Sequence, residues 1–192
     1  MSIKRVVVGK ILVGCFTLIW VTSCFLENRR VSEADLWKRY EIELSHKRYE
    51  NVIGVLSHIL ELYPENVDAY ISRSYFFCLI NQPELAIIDC EEALLLAPSS
   101  SQVYNHLAMA YYQLDQHEFA LNFINVALKL NAENAYAYKN RAKIHMALGN
   151  RYQACQDLFA ASQNGYNDDF AGLENDLNSL FVRNCEIVEC SQ

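Results

Sequence analysis

The sequence predicts an all-α chain: an α-solenoid of about four helix pairs closed by a C-terminal capping helix. Three observations carry this. Among 192 residues there are only 6 Gly and 3 Pro, while 52% are hydrophobic; a sandwich or barrel needs turn residues every 8 to 12 positions or so. Tyr70, Tyr104 and Tyr138 recur at intervals of 34 with many other columns in step, and a period of that size marks stacked helical repeats. Within each period, apolar residues recur at i, i+3, i+4 and i+7 on both sides of a short polar break, which is the spacing of one helix face.

Residues 1–23 read as an address rather than as fold. Lys4, Arg5 and Lys10 precede an apolar stretch from Ile11 to Val21 and the small Thr22 and Ser23, with no acid among them. Those are the three regions of a secretory signal. From Ile11 to Leu26 there are 16 residues, short of the roughly 20 that cross about 30 Å of hydrocarbon, so an uncleaved membrane anchor is the weaker alternative. Val21-Thr22-Ser23-Cys24 resembles the lipobox of bacterial lipoproteins. The resemblance implies cleavage before Cys24, a diacylglycerol thioether on its thiol and acylation of the freed amine; two or more acyl chains anchor firmly at about 0.8 kcal/mol per methylene. Phe25, not Asp, follows the cysteine, which by the same resemblance sends the anchor to the outer membrane of a bacterial envelope, facing the periplasm. Residues 24–34 then form the lipidated end and a short tether. Losing the leader's three cations makes the net charge of −7 more negative still, and such a body is repelled by phosphate backbones, which argues against nucleic acid as a partner.

The periodic body begins at about residue 35. Asn66, Ser100 and Asn134 stand four positions ahead of the opening tyrosines and are N-cap types. Small residues fill Ser74, Ala108 and Ala142 on the first helix of each pair, and Ala86, Ala120 and Ala154, then Ala93, Ala127 and Ala161, on the second. Small side chains facing each other let two antiparallel helices approach closely. The breaks Asn81-Gln82-Pro83, Leu114-Asp115-Gln116 and Leu148-Gly149-Asn150 separate the two helices, and Pro83 suits a first helical turn, where its missing N–H would be unpaired anyway.

These residues resemble the tetratricopeptide repeat: an aromatic opener, a small residue four later, an aromatic three further on, then Ala, a large apolar residue, Ala and a closing Pro. Residues 67–98 match with Tyr70, Ser74, Phe77, Ala86, Cys90, Ala93 and Pro98; residues 101–132 with Tyr104, Ala108, Tyr111, Ala120, Ile124 and Ala127, though Ala132 replaces the Pro; residues 135–166 with Tyr138, Ala142, Ala154, Leu158 and Ala161, with His145 at the second aromatic place. Residues 35–64 are degenerate. Trp37, Tyr40 and Leu44 suggest the first helix and Val52, Leu56 and Ile59 the second, in step only if one residue is deleted between them. The resemblance implies a right-handed solenoid. Ser32 with Asp35 resembles a capping box at its entry. Phe170, Leu173, Leu177, Leu180 and Phe181 form a stripe for a capping helix over 167–182, leaving 183–192 as a tail.

No catalytic motif emerges, so no enzyme and no cofactor are expected. His46, His58, His106, His117 and His145 lack metal spacing, and there is neither a Gly-rich phosphate loop nor a G-x-S-x-G elbow. Five cysteines lie beyond the leader: Cys78, Cys90, Cys155, Cys185 and Cys190. Cys90 fills a core column. Cys185 and Cys190 either close a small disulfide or end the chain as free thiols, and a thiol or redox protein of the envelope is the rival reading.

The resemblance implies a concave wall made by the first helices, at positions one, two and five after each opener and toward the helix end. Those are Ile71, Ser72, Tyr75, Asn105, His106, Met109, Tyr112, Lys139, Asn140 and Lys143, a set of aromatic, amide and basic groups suited to an extended peptide or a helix. Of the columns by which one subfamily clamps C-terminal carboxylates, only Asn140 matches; Ser72 and His106 fill the others. The expected function is a membrane-tethered adaptor that holds a protein or peptide of the envelope.

Overall fold

The structure, a computed structural model, describes residues 31–165. Among them are eight α-helices and no strand: α1 Glu33–Ser45, α2 Tyr49–Leu62, α3 Val67–Leu79, α4 Pro83–Leu96, α5 Ser101–Gln113, α6 His117–Leu130, α7 Ala135–Ala147 and α8 Arg151–Gln163. Cys24, the tether up to residue 30, the capping helix and the tail lie outside the described residues. The chain divides into two compact units, the first ending at Arg39 and the second beginning at Tyr40. In the described part of the first unit, Ser32 Oγ accepts from Asp35 N at 3.2 Å and donates to its carboxylate at 2.7 Å, which caps α1.

Every helix repeats in the 34-residue step: Glu33, Val67, Ser101 and Ala135 open the first helices, and Tyr49, Pro83, His117 and Arg151 the second. The one-residue deletion expected in the first pair is therefore absent. Leu36, 2% exposed, occupies the column of the opening tyrosines. Trp37 is the more conspicuous aromatic in the sequence, but the cap at Ser32 sets the phase of the helix and puts Trp37 one place off that column.

The two ends of each pair are built differently. The first helices start at side-chain caps: Asn66, Ser100 and Asn134 accept from the N–H groups of Ala69, Val103 and Ala137. The second helices have no side-chain cap bond. They follow a hairpin whose left-handed residue is Lys47, Asn81, Asp115 or Gly149, again 34 apart, with φ of 55°, 58°, 58° and 78°. Backbone bonds close each hairpin, as from Gln82 N to Phe77 O at 2.8 Å and Asn81 N to Cys78 O at 3.1 Å, the pattern of a Schellman motif.

Within the second unit the small columns do what their spacing implies. Ser74, Ala108 and Ala142 and the six alanines of α4, α6 and α8 are all buried, with Cys90, Ile124 and Leu158 between them. A fully buried Ile124 contributes about 2 kcal/mol of apolar transfer. The first helices also pack on one another, α3 on α5 and α5 on α7, whereas the second helices make no comparable contact among themselves. The first helices therefore form the inner side of the stack.

Candidate functional site

The inner wall is built from the i, i+3, i+4, i+7 faces of α3, α5 and α7. On α7 that stripe is Tyr136, Lys139, Asn140 and Lys143; on α5 it is Gln102, Asn105, His106 and Met109. Not all of the expected wall residues face solvent. Ile71 is 8% exposed and packs with Cys90, Ala93, Val103 and Leu107, because the step from Tyr70 turns it toward the next pair. Asn105 and His106 are equally buried. Each is consumed in a tie between successive first helices.

Those ties run along the wall. The Tyr40 hydroxyl is hydrogen-bonded with Ser72. His106 Nδ1 lies 2.9 Å from Ser74 Oγ, which also donates to Ile71 O at 2.8 Å; the consistent proton assignment has the imidazole N–H donating to the hydroxyl. Gln113 Nε2 donates to Cys78 O at 2.8 Å, and Asn140 Nδ2 to Asn105 Oδ1 at 2.9 Å. Burial pushes His106 down to about 4, so it is neutral at pH 7. The amides expected to read a partner thus hold the scaffold together.

What faces outward is aromatic and basic. Tyr75 is 47% exposed, with its ring 5.8 Å from that of His106. Burial first, then the nearby phenols of Tyr49 and Tyr136, push its hydroxyl above the usual tyrosine range. Tyr136 is 59% exposed. It lies two places before its repeat's opener, a signal present in the sequence that the choice of positions one, two and five passed over. Met109, Lys139 and Lys143 are half-buried. Burial, and secondarily Lys139 one turn away, lower the Lys143 ammonium. Tyr112 leans instead on His117, ring to ring at 5.3 Å, at the start of α6.

Away from the wall, two ion pairs tie helices together. Arg73 makes a bidentate pair with Asp89, at 2.8 and 2.7 Å, and reaches Ser57 at 2.9 Å. Arg141 repeats this with Asp157, at 2.8 and 2.6 Å, and Asn125, at 2.9 Å. Neither was singled out in the sequence.

Among the described residues, no cluster of three or more His, Cys, Asp or Glu is placed to hold a metal ion, and no helix is long and apolar enough to cross a membrane. Cys78 and Cys90 are free thiols pushed up to about 12 by burial, so at neutral pH they are protonated and poor nucleophiles. Cys155 is disulfide-bonded. Cys185 and Cys190 lie outside the described residues.

No protein-family model matches the chain. It is 31% identical over 84 residues, 44% of its length, to a TPR repeat-containing thioredoxin of Arabidopsis thaliana. The chain spans 22% of that relative, about a fifth. Among solved structures it resembles PilF of Pseudomonas aeruginosa, at a TM-score of 0.64 and 20% identity over 80% of this chain and 69% of that one. It also resembles the first TPR of Spaghetti (RPAP3) bound to an HSP90 peptide, at 0.55 and 22% over 59% and 90%. Fold and repeat together define the class: the described residues form an all-helical array of tetratricopeptide type.

Proposed function

We propose that this chain is a lipid-tethered adaptor that holds a protein or peptide partner of a bacterial envelope on the inner wall of α3, α5 and α7. The observation that carries the reading is the pair of outward aromatic side chains, Tyr75 and Tyr136, on a wall where Asn105 and Asn140 are already tied to each other. Large rigid rings exposed on a curved surface supply contact area at little cost in side-chain entropy. The solved neighbour that carries a bound HSP90 peptide supports peptide binding as the mode. Tethering rests on the leader and Cys24, and the role is structural rather than catalytic.

Crosslinking and pull-down from membranes tests the wall. Tyr75→Ala should lose the captured partner while Phe119→Ala, on α6, keeps it; equal capture by both removes the wall from the account. Mass spectrometry of the mature N-terminus and membrane fractionation test the tether. An acylated Cys24, and release or precursor accumulation on Cys24→Ala, are expected, whereas an intact Met1 replaces lipidation with an uncleaved anchor.

A further inference from the structure

Apart from Lys139 and Lys143, the cations of the described chain fall into two groups. Arg73, Arg141, Arg48 and Lys38 are paired with carboxylates, while Arg39, Lys47, Lys129 and Arg151 stand exposed in water. Lys143 belongs to neither. It is half-buried, yet it has no ion pair or hydrogen bond among the described residues, and its charged neighbour is another cation, Lys139. Taking an ammonium out of water without a counter-charge is costly, and the lowered proton affinity of Lys143 is one result. A protein with 23 acidic residues places none of the described ones against it.

Its position gives that vacancy a purpose. Lys143 lies in the column of Tyr75 and Met109, 34 residues apart along the inner wall, and on the same α7 stripe as Tyr136. A segment lying along the wall meets an exposed ring, a thioether and an ammonium in succession. The neighbouring amides of Asn105 and Asn140 are engaged with each other at 2.9 Å, so charge and apolar contact, rather than an amide ladder, are left to select it.

We infer that the wall takes an acidic peptide segment, with an internal Asp or Glu carboxylate pairing with Lys143 and an apolar or aromatic side chain resting on Tyr75. This rests on the wall being the partner site and adds the partner's chemistry. A carboxylate arriving there supplies a charge-assisted hydrogen bond and neutralises the uncompensated cation. The preference is for a side chain, not a chain end.

The test uses the full chain and a fluorescent peptide of alternating Glu and Phe, blocked at both termini so that it has no terminal carboxylate, beside its Gln-for-Glu counterpart. By anisotropy, the acidic peptide should bind about tenfold tighter or better, a difference of about 1.4 kcal/mol, and the preference should shrink with added salt. Lys143→Gln should erase the preference and Lys143→Arg restore it, with helical circular dichroism unchanged in both. Equal binding of the two peptides, or a preference that survives Lys143→Gln, overturns the inference. If Tyr75→Ala still weakens both peptides in that case, the wall remains the partner site and only its charge selectivity is wrong; if it weakens neither, the wall reading fails as well. A labelled oligonucleotide that binds as tightly as the acidic peptide through Lys143 also overturns it.

Discussion

The second and fourth helix pairs are joined by a buried ion pair, the third by stacked rings. In the second, Arg73 grips Asp89 and touches Ser57 of α2; in the fourth, Arg141 grips Asp157 and touches Asn125 of α6. The same columns in the third pair hold Leu107 and Phe123. Phe123 stacks on Tyr111 at 5.1 Å and on Tyr104 at 6.4 Å, where Arg73 and Arg141 instead lie over Tyr70 and Tyr138 at 5.9 and 5.5 Å. Backbone and register are unchanged by the exchange. The small columns set the helix spacing, and the larger groups beside them are interchangeable provided that none is left half-made.

What the pairs share should be hardest to break. Ala120→Trp puts a large ring into a fully buried helix–helix contact and should cost about 3 kcal/mol or more by overpacking; an unchanged melting temperature would show that the register is wrong. What they do not share can be exchanged. Asp89→Ala strands the Arg73 guanidinium, which keeps 19% of its side-chain surface in water, and should cost about 3 kcal/mol, the low end for a broken buried pair. Importing the third pair's solution as Arg73→Leu with Asp89→Phe should recover most of that in chemical denaturation. If the double variant is no more stable than Asp89→Ala, the two kinds of junction are not equivalent.

The ties of the inner wall sharpen the comparison by pH. His106 binds its proton at about 4 in the fold and near 6.5 when unfolded, so between those values the unfolded chain holds more protons and stability falls as pH falls. The loss from pH 7 to pH 5 should be about 2 kcal/mol from this group. His145, lowered mainly by burial with Arg141 adding to it against the pull of Asp157, acts in the same direction in the fourth pair. His106→Asn should flatten most of the slope in equilibrium unfolding, and an undiminished slope would assign it to other groups. The smallest effect belongs to the hairpins. Gly149 has φ of 78° with open space where a Cβ would sit, so Gly149→Ala should cost only the left-handed penalty, about 1 kcal/mol.

Much of this was legible because the period is short and the columns carry mechanism. Asn66, Ser100 and Asn134 were readable as caps from residue type and position, and they cap. The alanine columns were readable as helix contacts. Two things were obscured. In the first pair, Trp37 drew the reading off the step that Leu36 occupies. On the wall, position in the repeat suggested solvent for Ile71, Asn105 and His106, whereas Ile71 packs on Val103 and Leu107 and the two polar side chains are each tied to an adjacent first helix. The bonds that bury them join residues 32 and 35 apart, not 34, and a period cannot announce contacts that fall off its own step.

By itself, then, the sequence determined the helices, their pairing and their common register, since caps, hairpin residues and small columns all act within one repeat or at its fixed interval. Only the tertiary structure decided which side chains the wall keeps and which it offers. Successive first helices meet at a diagonal offset, and that offset turns amides and an imidazole into internal ties while leaving Tyr75 and Lys143 without such a bond.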